Sequence, residues 1–258
     1  VIRFKNYVKA GSLEEAYTLN QKKSSAIGGG MMWMKMQKRM RMTLVDLVGL
    51  GLDGIEETEE EFSIGAMCSL RQLEIHEGLN EYFGGIFKEC TRSIVGIQFR
   101  NGATVGGSVF GRFGFSDIIT CLLALDTYVE LYQGGLVSLE EFCRMKQDRD
   151  ILVRIRIKKD GRQAAYGSQR IAKTDFPQIA CCVAKKGDQV YVSIGARPGL
   201  AEVVALKKTE DSGLEELAKK ASDSFRYGTN MRGSADYRKH LAEVYTRRLL
   251  AGLHKEEK

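Results

Sequence analysis

Three consecutive glycines, Gly28-Gly29-Gly30, are the feature that most constrains this chain. They stand between an apolar strand end, Ala26-Ile27, and a methionine-rich segment, Met31 to Met42, that leads into the strand-like Thr43-Leu44-Val45-Asp46-Leu47. A helix or strand does not run through such a triplet, because glycine loses more backbone freedom on ordering than any other residue. The triplet is therefore a turn between two structured segments. Lacking Cβ atoms, its successive N–H groups can turn together toward an anion, as in a backbone nest that holds phosphate oxygens. An ordinary tight turn uses the same residues, so the triplet alone leaves both readings open.

A second glycine stretch sharpens the choice. Arg100-Asn101-Gly102-Ala103-Thr104-Val105-Gly106-Gly107-Ser108-Val109 offers hydroxyls at Thr104 and Ser108 and glycines that permit close backbone approach, a set suited to a diphosphate. Asp117, nine residues beyond Ser108, is an acceptor of the kind that hydrogen-bonds ribose hydroxyls. Two glycine loops and one carboxylate fit a dinucleotide. The formal G-x-G-x-x-G match at Gly49-Leu50-Gly51-Leu52-Asp53-Gly54 does not. A dinucleotide fingerprint needs an apolar-periodic helix facing the pyrophosphate, whereas Gly54 leads into a carboxylate cluster from Glu56 to Glu61 that would repel it. That match reads as a surface turn.

Elsewhere the pattern is of small elements. Ser12-Leu13-Glu14-Glu15 and Ser69-Leu70-Arg71-Gln72 are capping boxes that open helices, and Phe62 to Ala66 reads as a strand. Beyond Asp148 the grammar changes. Ile151 to Ile157 alternates aliphatic residues with arginine, as a strand with one wet face does. Asp160-Gly161 predicts a hairpin turn, and Lys186-Gly187-Asp188-Gln189 punctuates a second pair of strands. Tyr237, Leu241, Val244, Tyr245 and Leu249 recur at helical spacing, so the chain closes on an amphipathic helix from Ser234 to Leu253. The expected fold class is α+β. Residues 1–147 form an N-terminal part of two small α/β lobes, and residues 148–258 an antiparallel sheet with C-terminal helices.

Composition excludes several functions. With 258 residues, 43% of them hydrophobic, the chain can bury a core of one large domain or two modest ones. The net charge of +6 comes without a Lys/Arg run interleaved with aromatics, so no nucleic acid is expected; a solvated basic surface or a face for an acidic partner subunit accounts for it. No apolar run approaches the roughly 18 residues of a membrane span and no signal-peptide core opens the chain, so no membrane is expected and the location is cytoplasmic. The six cysteines contain no C-x-x-C and read as reduced, buried small hydrophobes rather than cluster ligands. His76, His240 and His254 group neither with each other nor with cysteines, so no metal site is expected. Six of the nine methionines fall between Met31 and Met42, where thioethers suit packing beside a bulky planar ligand.

The motifs also succeed one another in a familiar order: Ile27-Gly28-Gly29-Gly30-Met31-Met32, Leu44-Val45-Asp46-Leu47, Ile64-Gly65-Ala66, Arg100 to Ser108, Ser116-Asp117, Leu122-Leu123-Ala124-Leu125-Asp126, then Arg170, Ala172, Asp175 and Phe176. In this the chain resembles the FAD-binding (medium) subunit family of molybdopterin dehydrogenases, of the xanthine dehydrogenase and carbon monoxide dehydrogenase type. The resemblance implies a two-lobed FAD-binding domain of the vanillyl-alcohol-oxidase/PCMH-like kind, with the flavin between it and the C-terminal domain. It implies that Ile27, Gly28, Gly29, Gly30, Met31 and Met32 hold the FAD pyrophosphate through backbone N–H groups. Thr104, Val105, Gly106, Gly107 and Ser108 form the second cradle, with the two hydroxyls bonding phosphate or ribitol. Asp117 falls at the ribose, Phe110 flanks the isoalloxazine, and Ile157 and Tyr166 close over it. No catalytic side chain is implied on this chain.

By the same resemblance, an iron–sulfur subunit carrying [2Fe-2S] clusters and a molybdopterin-binding large subunit are the partners, and electrons leave FAD for NAD+ or another acceptor. The chain departs from the family at Gly30 and Met31, where Thr and Asp are usual, at Ser108, where Asn is commoner, and in having no proline between Phe110 and Asp117. A non-redox nucleotide-binding or assembly module on the same scaffold is the alternative. A flavoenzyme acting alone would need an acid or nucleophile near the flavin, and no residue offers itself. Asp117→Ala is expected to weaken FAD binding by about 1.5 to 3 kcal/mol with the fold intact.

Overall fold

The computed structural model describes residues 1–209 and 213–255. The first lobe consists of β1 (Arg3–Lys9), α1 (Leu13–Asn20), β2 (Ser25–Gly28) and β3 (Met40–Asp46), with the strands in a parallel sheet of order β1-β3-β2. Parallel strands need a crossover, and α1 supplies the one from β1 to β2, which flank β3, while the segment from Gly29 to Arg39 supplies the one from β2 to β3. Ser12 caps this helix as predicted, accepting from the Glu15 N–H at 3.1 Å, while the Glu15 carboxylate reaches back to the N–H of Gly11 at 2.8 Å. Ala16 of α1 packs with Val45 and Leu47 in a small core that Ile151 and Val153 complete from far along the chain.

The second lobe runs from β4 (Ile55–Glu57) and β5 (Glu61–Gly65) through six short helices: α2 (Leu70–Ile75), α3 (Glu77–Tyr82), α4 (Ile86–Thr91), α5 (Ile97–Gly102), α6 (Val105–Phe110) and α7 (Asp117–Leu123). It ends with β6 (Thr127–Leu131), β7 (Gly135–Ser138), α8 (Leu139–Arg144) and β8 (Leu152–Lys158). Its sheet is antiparallel, in the order β4-β5-β8-β6-β7. The Ser69–Gln72 capping box forms reciprocally at the start of α2.

The strand predicted just beyond residue 148 exists as β8, and it sits in the centre of the second lobe's sheet, between β5 and β6. Its alternation reads as expected. Ile155 and Ile157 are fully buried, while Arg154, Arg156 and Lys158 face Glu56, Glu61 and Glu130 across the strands. Such partly exposed pairs contribute at most about 1 kcal/mol each, so the aliphatic face decides where the strand goes.

The C-terminal part continues as β9 (Gln163–Gln169), β10 (Ile179–Lys186), β11 (Gln189–Gly195), β12 (Glu202–Lys207), α9 (Leu214–Asp223) and α10 (Ala235–Lys255). The strands form an antiparallel meander, β12-β11-β10-β9. Gly187, at φ +59°, turns the β10–β11 hairpin as predicted. Asp160-Gly161 is not a hairpin. Gly161, at φ +81°, links β8 to β9 in a different sheet, and its N–H is held by the Tyr82 hydroxyl at 3.0 Å. A glycine at positive φ marks a sharp turn and says nothing about which strands pair.

Leu241, Ala242, Leu250 and Leu253 of α10 pack with α9 onto β10 and β11, whereas Tyr237 faces outward. The main core crosses the whole arrangement, from Phe62 and Ile64 through α2–α7 to Ala164, Tyr166, Ala180 and Cys182. All six cysteines are buried and unpaired, and burial pushes the Cys90 and Cys121 thiols above the ordinary range. Among the described residues no helix is long and apolar enough to cross a membrane.

Candidate cofactor site

The two glycine stretches meet. A Cβ built on Gly30 would stand 1.6 Å from the carbonyl oxygen of Gly102, and one on Gly29 would stand 2.9 Å from the Thr104 hydroxyl. Gly30 is thus needed because one backbone lies directly on another, and Gly29 because the Thr104 side chain lies against it. Past this contact Met31 adopts φ +58°, a left-handed conformation that costs a methionine about 1 kcal/mol or more and bends the chain sharply. Among the described residues, nothing accepts a hydrogen bond from the N–H groups of Gly29, Gly30, Met31 or Met32. All four residues line a cavity of about 840 Å³ at the junction of the two lobes and the segment from Arg170 to Phe176. That volume lies within the range of small-molecule sites, which favour such junctions.

The second stretch is built differently. Thr104 is the N-cap of α6 and accepts from the Gly107 N–H at 3.1 Å. The N–H groups of Val105 and Gly106 go to the carbonyls of Cys68 and Ala66 at 2.8 and 2.9 Å, and the Ser108 hydroxyl donates to the Thr104 carbonyl at 3.0 Å. These bonds fasten α6 to the end of β5 and leave the hydroxyl of Thr104 free to donate and that of Ser108 free to accept. The glycines differ in role. A Cβ on Gly106 would lie 2.6 Å from the Ala66 carbonyl oxygen, whereas one on Gly107 would meet only the Thr104 hydroxyl, at 3.0 Å.

Of the residues named from sequence, Ile27, Gly29, Gly30, Met31, Met32, Thr104, Gly106, Gly107, Ser108, Phe110 and Asp117 line this cavity. Gly28 ends β2, where a Cβ would press on Leu44 at 2.9 Å, and Val105 is fully buried at the foot of α6; both serve packing. Ile157 and Tyr166 do not line the cavity. Ile157 is buried near the end of β8, and Tyr166 is buried in β9 with its hydroxyl donating to Asp117. The positions that the resemblance placed over the flavin are therefore core positions here.

Asp117 is the first residue of α7 and its side chain is 6% exposed. Its Oδ1 holds Arg170 at 2.5 Å, itself 7% exposed, and also accepts from Tyr166. Burial pushes the Asp117 carboxyl upward, and the Arg170 charge and the Tyr166 hydroxyl oppose it. Burial and the neighbouring carboxylate raise Tyr166 well above the ordinary range, so it stays protonated and donates. Asp117 is thus a tie between α7 and the C-terminal sheet, and only its other oxygen is left to face a ligand.

Residue-by-residue reading missed the aromatic wall. Trp33 lies 5.6 Å from Phe176 with rings 20° from parallel, Phe113 lies 5.2 Å from Phe115 at 13°, and Phe115 lies 4.4 Å from Phe176. All four line the cavity. The usable signals were the chain's one tryptophan directly after the first glycine loop and the F-x-F within residues 113–115. Among the described residues no group of three or more His, Cys, Asp or Glu could hold a metal ion.

Comparison with known proteins agrees with this geometry. Residues 2–158, more than half of the chain, match the family described as the FAD binding domain in molybdopterin dehydrogenase. The glyceraldehyde dehydrogenase medium chain of Sulfolobus acidocaldarius is 23% identical over 268 residues, covering 93% of this chain and 95% of that one. The uncharacterized protein YgfM of Escherichia coli K12 is 24% identical over 255 residues, 95% of each. Among solved structures, carbon monoxide dehydrogenase from Hydrogenophaga pseudoflava superposes with a TM-score of 0.84 at 20% identity, covering 96% of both chains. Quinoline 2-oxidoreductase from Pseudomonas putida 86 gives 0.82 at 18%, covering 97% of this chain and 95% of that one. At such identities the superpositions show the α+β fold alone. The family match spans both lobes and both glycine loops, and on that ground the chain belongs to the FAD-binding subunits of molybdopterin dehydrogenases and is an oxidoreductase subunit of that kind.

Proposed function

We propose that the cavity holds FAD and that this chain is the electron-transfer subunit of a molybdenum hydroxylase resembling xanthine dehydrogenase. Electrons would arrive from the [2Fe-2S] clusters of an iron–sulfur partner subunit, beside a molybdopterin-binding large subunit, and leave to NAD+ or another acceptor. The observation that carries this reading is the run of unbonded N–H groups at Gly29, Gly30, Met31 and Met32 on the cavity wall. Buried or half-buried N–H groups normally find acceptors, so four in succession are a cradle for an anion. The diphosphate of a dinucleotide fits that donor set.

When bound, FAD takes up electrons singly and releases them as a pair. The work of this chain is then to bind, orient and shield. The first loop holds the diphosphate by backbone, which tolerates the loss of Thr and Asp side chains at Gly30 and Met31. The hydroxyls of Thr104 and Ser108 supplement it, the second oxygen of Asp117 accepts from a ribose hydroxyl, and the apolar walls exclude water. Carbon monoxide dehydrogenase and quinoline 2-oxidoreductase share this fold, which supports placing the choice of hydroxylated substrate in another subunit. The alternative, a non-redox nucleotide-binding or assembly module, draws on one observation: the N–H groups that open α6 are already bonded within the protein.

Titration of the purified chain with FAD decides between them. A yellow complex with flavin bands in the visible and one-to-one binding is the expected result. A chain that stays colourless and shows no calorimetric binding at high micromolar FAD would overturn the proposal in favour of the alternative.

The glycines of the second loop give a sharper test. Gly107→Val leaves the fold nearly intact, costing about 1 kcal/mol through the disturbed Thr104 cap, yet places methyls in the cavity and abolishes FAD binding. Gly106→Val drives a side chain into the Ala66 backbone and loses several times more stability. Thermal midpoints and FAD affinities on both variants check this, and a Gly107→Val protein with unchanged affinity removes that loop from the site.

A further inference from the structure

We infer that Trp33, Phe113, Phe115 and Phe176 form the face on which the isoalloxazine ring stacks, with Trp33 as its principal contact. This rests on the FAD reading and goes beyond it, because it moves the ring site from the positions the resemblance indicated to four that it did not.

The positions indicated by resemblance are engaged elsewhere. Ile157 and Tyr166 lie off the cavity wall. Phe110 reaches the wall but packs on Phe142 at 6.2 Å, with the Arg112 guanidinium over both rings, 5.5 Å from that of Phe110 and 3.9 Å from that of Phe142. The aromatic set, in contrast, is open. Trp33 is 42% exposed and Phe113 38%, and both line the cavity, so the stack keeps accessible apolar surface there. Exposed apolar surface is unfavourable unless something covers it, and a planar, apolar-faced ring covers it best.

Placement supports the same occupant. Trp33 directly follows the unbonded N–H run, Phe113 and Phe115 come just after α6, and Phe176 comes from the C-terminal part, so the wall adjoins the diphosphate cradle and bridges the junction. The two near-parallel ring pairs, at 20° and 13°, present stacked faces of the kind a third flat ring joins. The first loop has no polar side chain at Gly30 or Met31 to orient a cofactor, and the stack replaces that orientation.

Adenine is also planar, so the test uses FAD, FMN and ADP as separate probes on wild type, Trp33→Leu and Trp33→Phe. Because Trp33 is half exposed, both variants keep the wild-type thermal midpoint. Trp33→Leu is expected to weaken FAD and FMN about tenfold, the scale of one aromatic stack. Trp33→Phe restores most of this, and ADP affinity does not change. Emission from bound flavin, quenched against the indole, rises in Trp33→Leu. Equal FAD affinity and emission in Trp33→Leu and wild type overturn the inference while leaving the FAD reading intact, and so does a loss seen with ADP and absent with FMN. Wild type that binds none of the three overturns both.

Discussion

Asp117→Ala is expected to lower stability by about 3 to 5 kcal/mol, the cost of breaking one side of a buried ion pair. The variant strips the Arg170 guanidinium, 7% exposed, of the carboxylate in direct contact with it and leaves the charge of Asp175 within electrostatic reach. Arg170 has no substitute partner of equal worth, since its Nε is already buried without an acceptor and its Nη1 is held by the Asp175 carbonyl. Tyr166 loses the oxygen its hydroxyl donates to as well. At roughly 2 to 4 °C per kcal/mol for a chain of this size, the thermal midpoint falls by about 6 °C or more.

The sequence alone led to a different expectation, weakened FAD binding with the fold intact, because a carboxylate after a glycine loop reads as a ligand contact and its buried cation lies 53 residues away. Asp117→Asn keeps an acceptor for Tyr166 and falls between the two. An Asp117→Ala protein that melts with wild type would show that the pair is not a structural tie. FAD affinity is measured well below the midpoint so that the two effects stay separate.

Gly30→Ala is expected to abolish detectable FAD binding and to cost about 2 to 3 kcal/mol, although it adds a single methyl group. The methyl carbon would stand 1.6 Å from the Gly102 oxygen and 2.6 Å from its carbonyl carbon. Both neighbours are backbone, so no rotamer change relieves the clash and the two loops must part. Parting them moves the N–H groups of Gly29 to Met32, which form the proposed cradle. Gly54→Ala is the control. That glycine belongs to the G-x-G-x-x-G match read as a surface turn, nothing lies within 4 Å of its added Cβ, and it should behave as wild type in both stability and FAD titration. Wild-type FAD affinity in Gly30→Ala would mean that the contact between loops does not shape the site.

What the sequence determined by itself was local or ordered along the chain. Ser12 and Ser69 announced their helices because a cap is a contact between residues three apart. Gly187 announced a hairpin because positive φ is a property of one residue. The alternation in β8 announced its wet face because strand side chains alternate with period two. The order of the motifs announced the family, and the match over residues 2–158 shows it.

Tertiary structure decided everything that depended on who stands opposite. Alternation says which face of β8 is buried but not that β5 and β6 are its neighbours, and Gly161 turns as sharply between two sheets as within one hairpin. Asp117 became a tie only when β9 carried Tyr166 to it and the segment after β9 brought Arg170. Trp33, Phe113, Phe115 and Phe176 became one wall only when three segments converged on the cavity. The physical reason is common to all: caps, turns and periodicity act over a few residues, whereas strand pairing, buried ion pairs and cavity walls are set by the packing of segments remote in sequence, which no local pattern encodes.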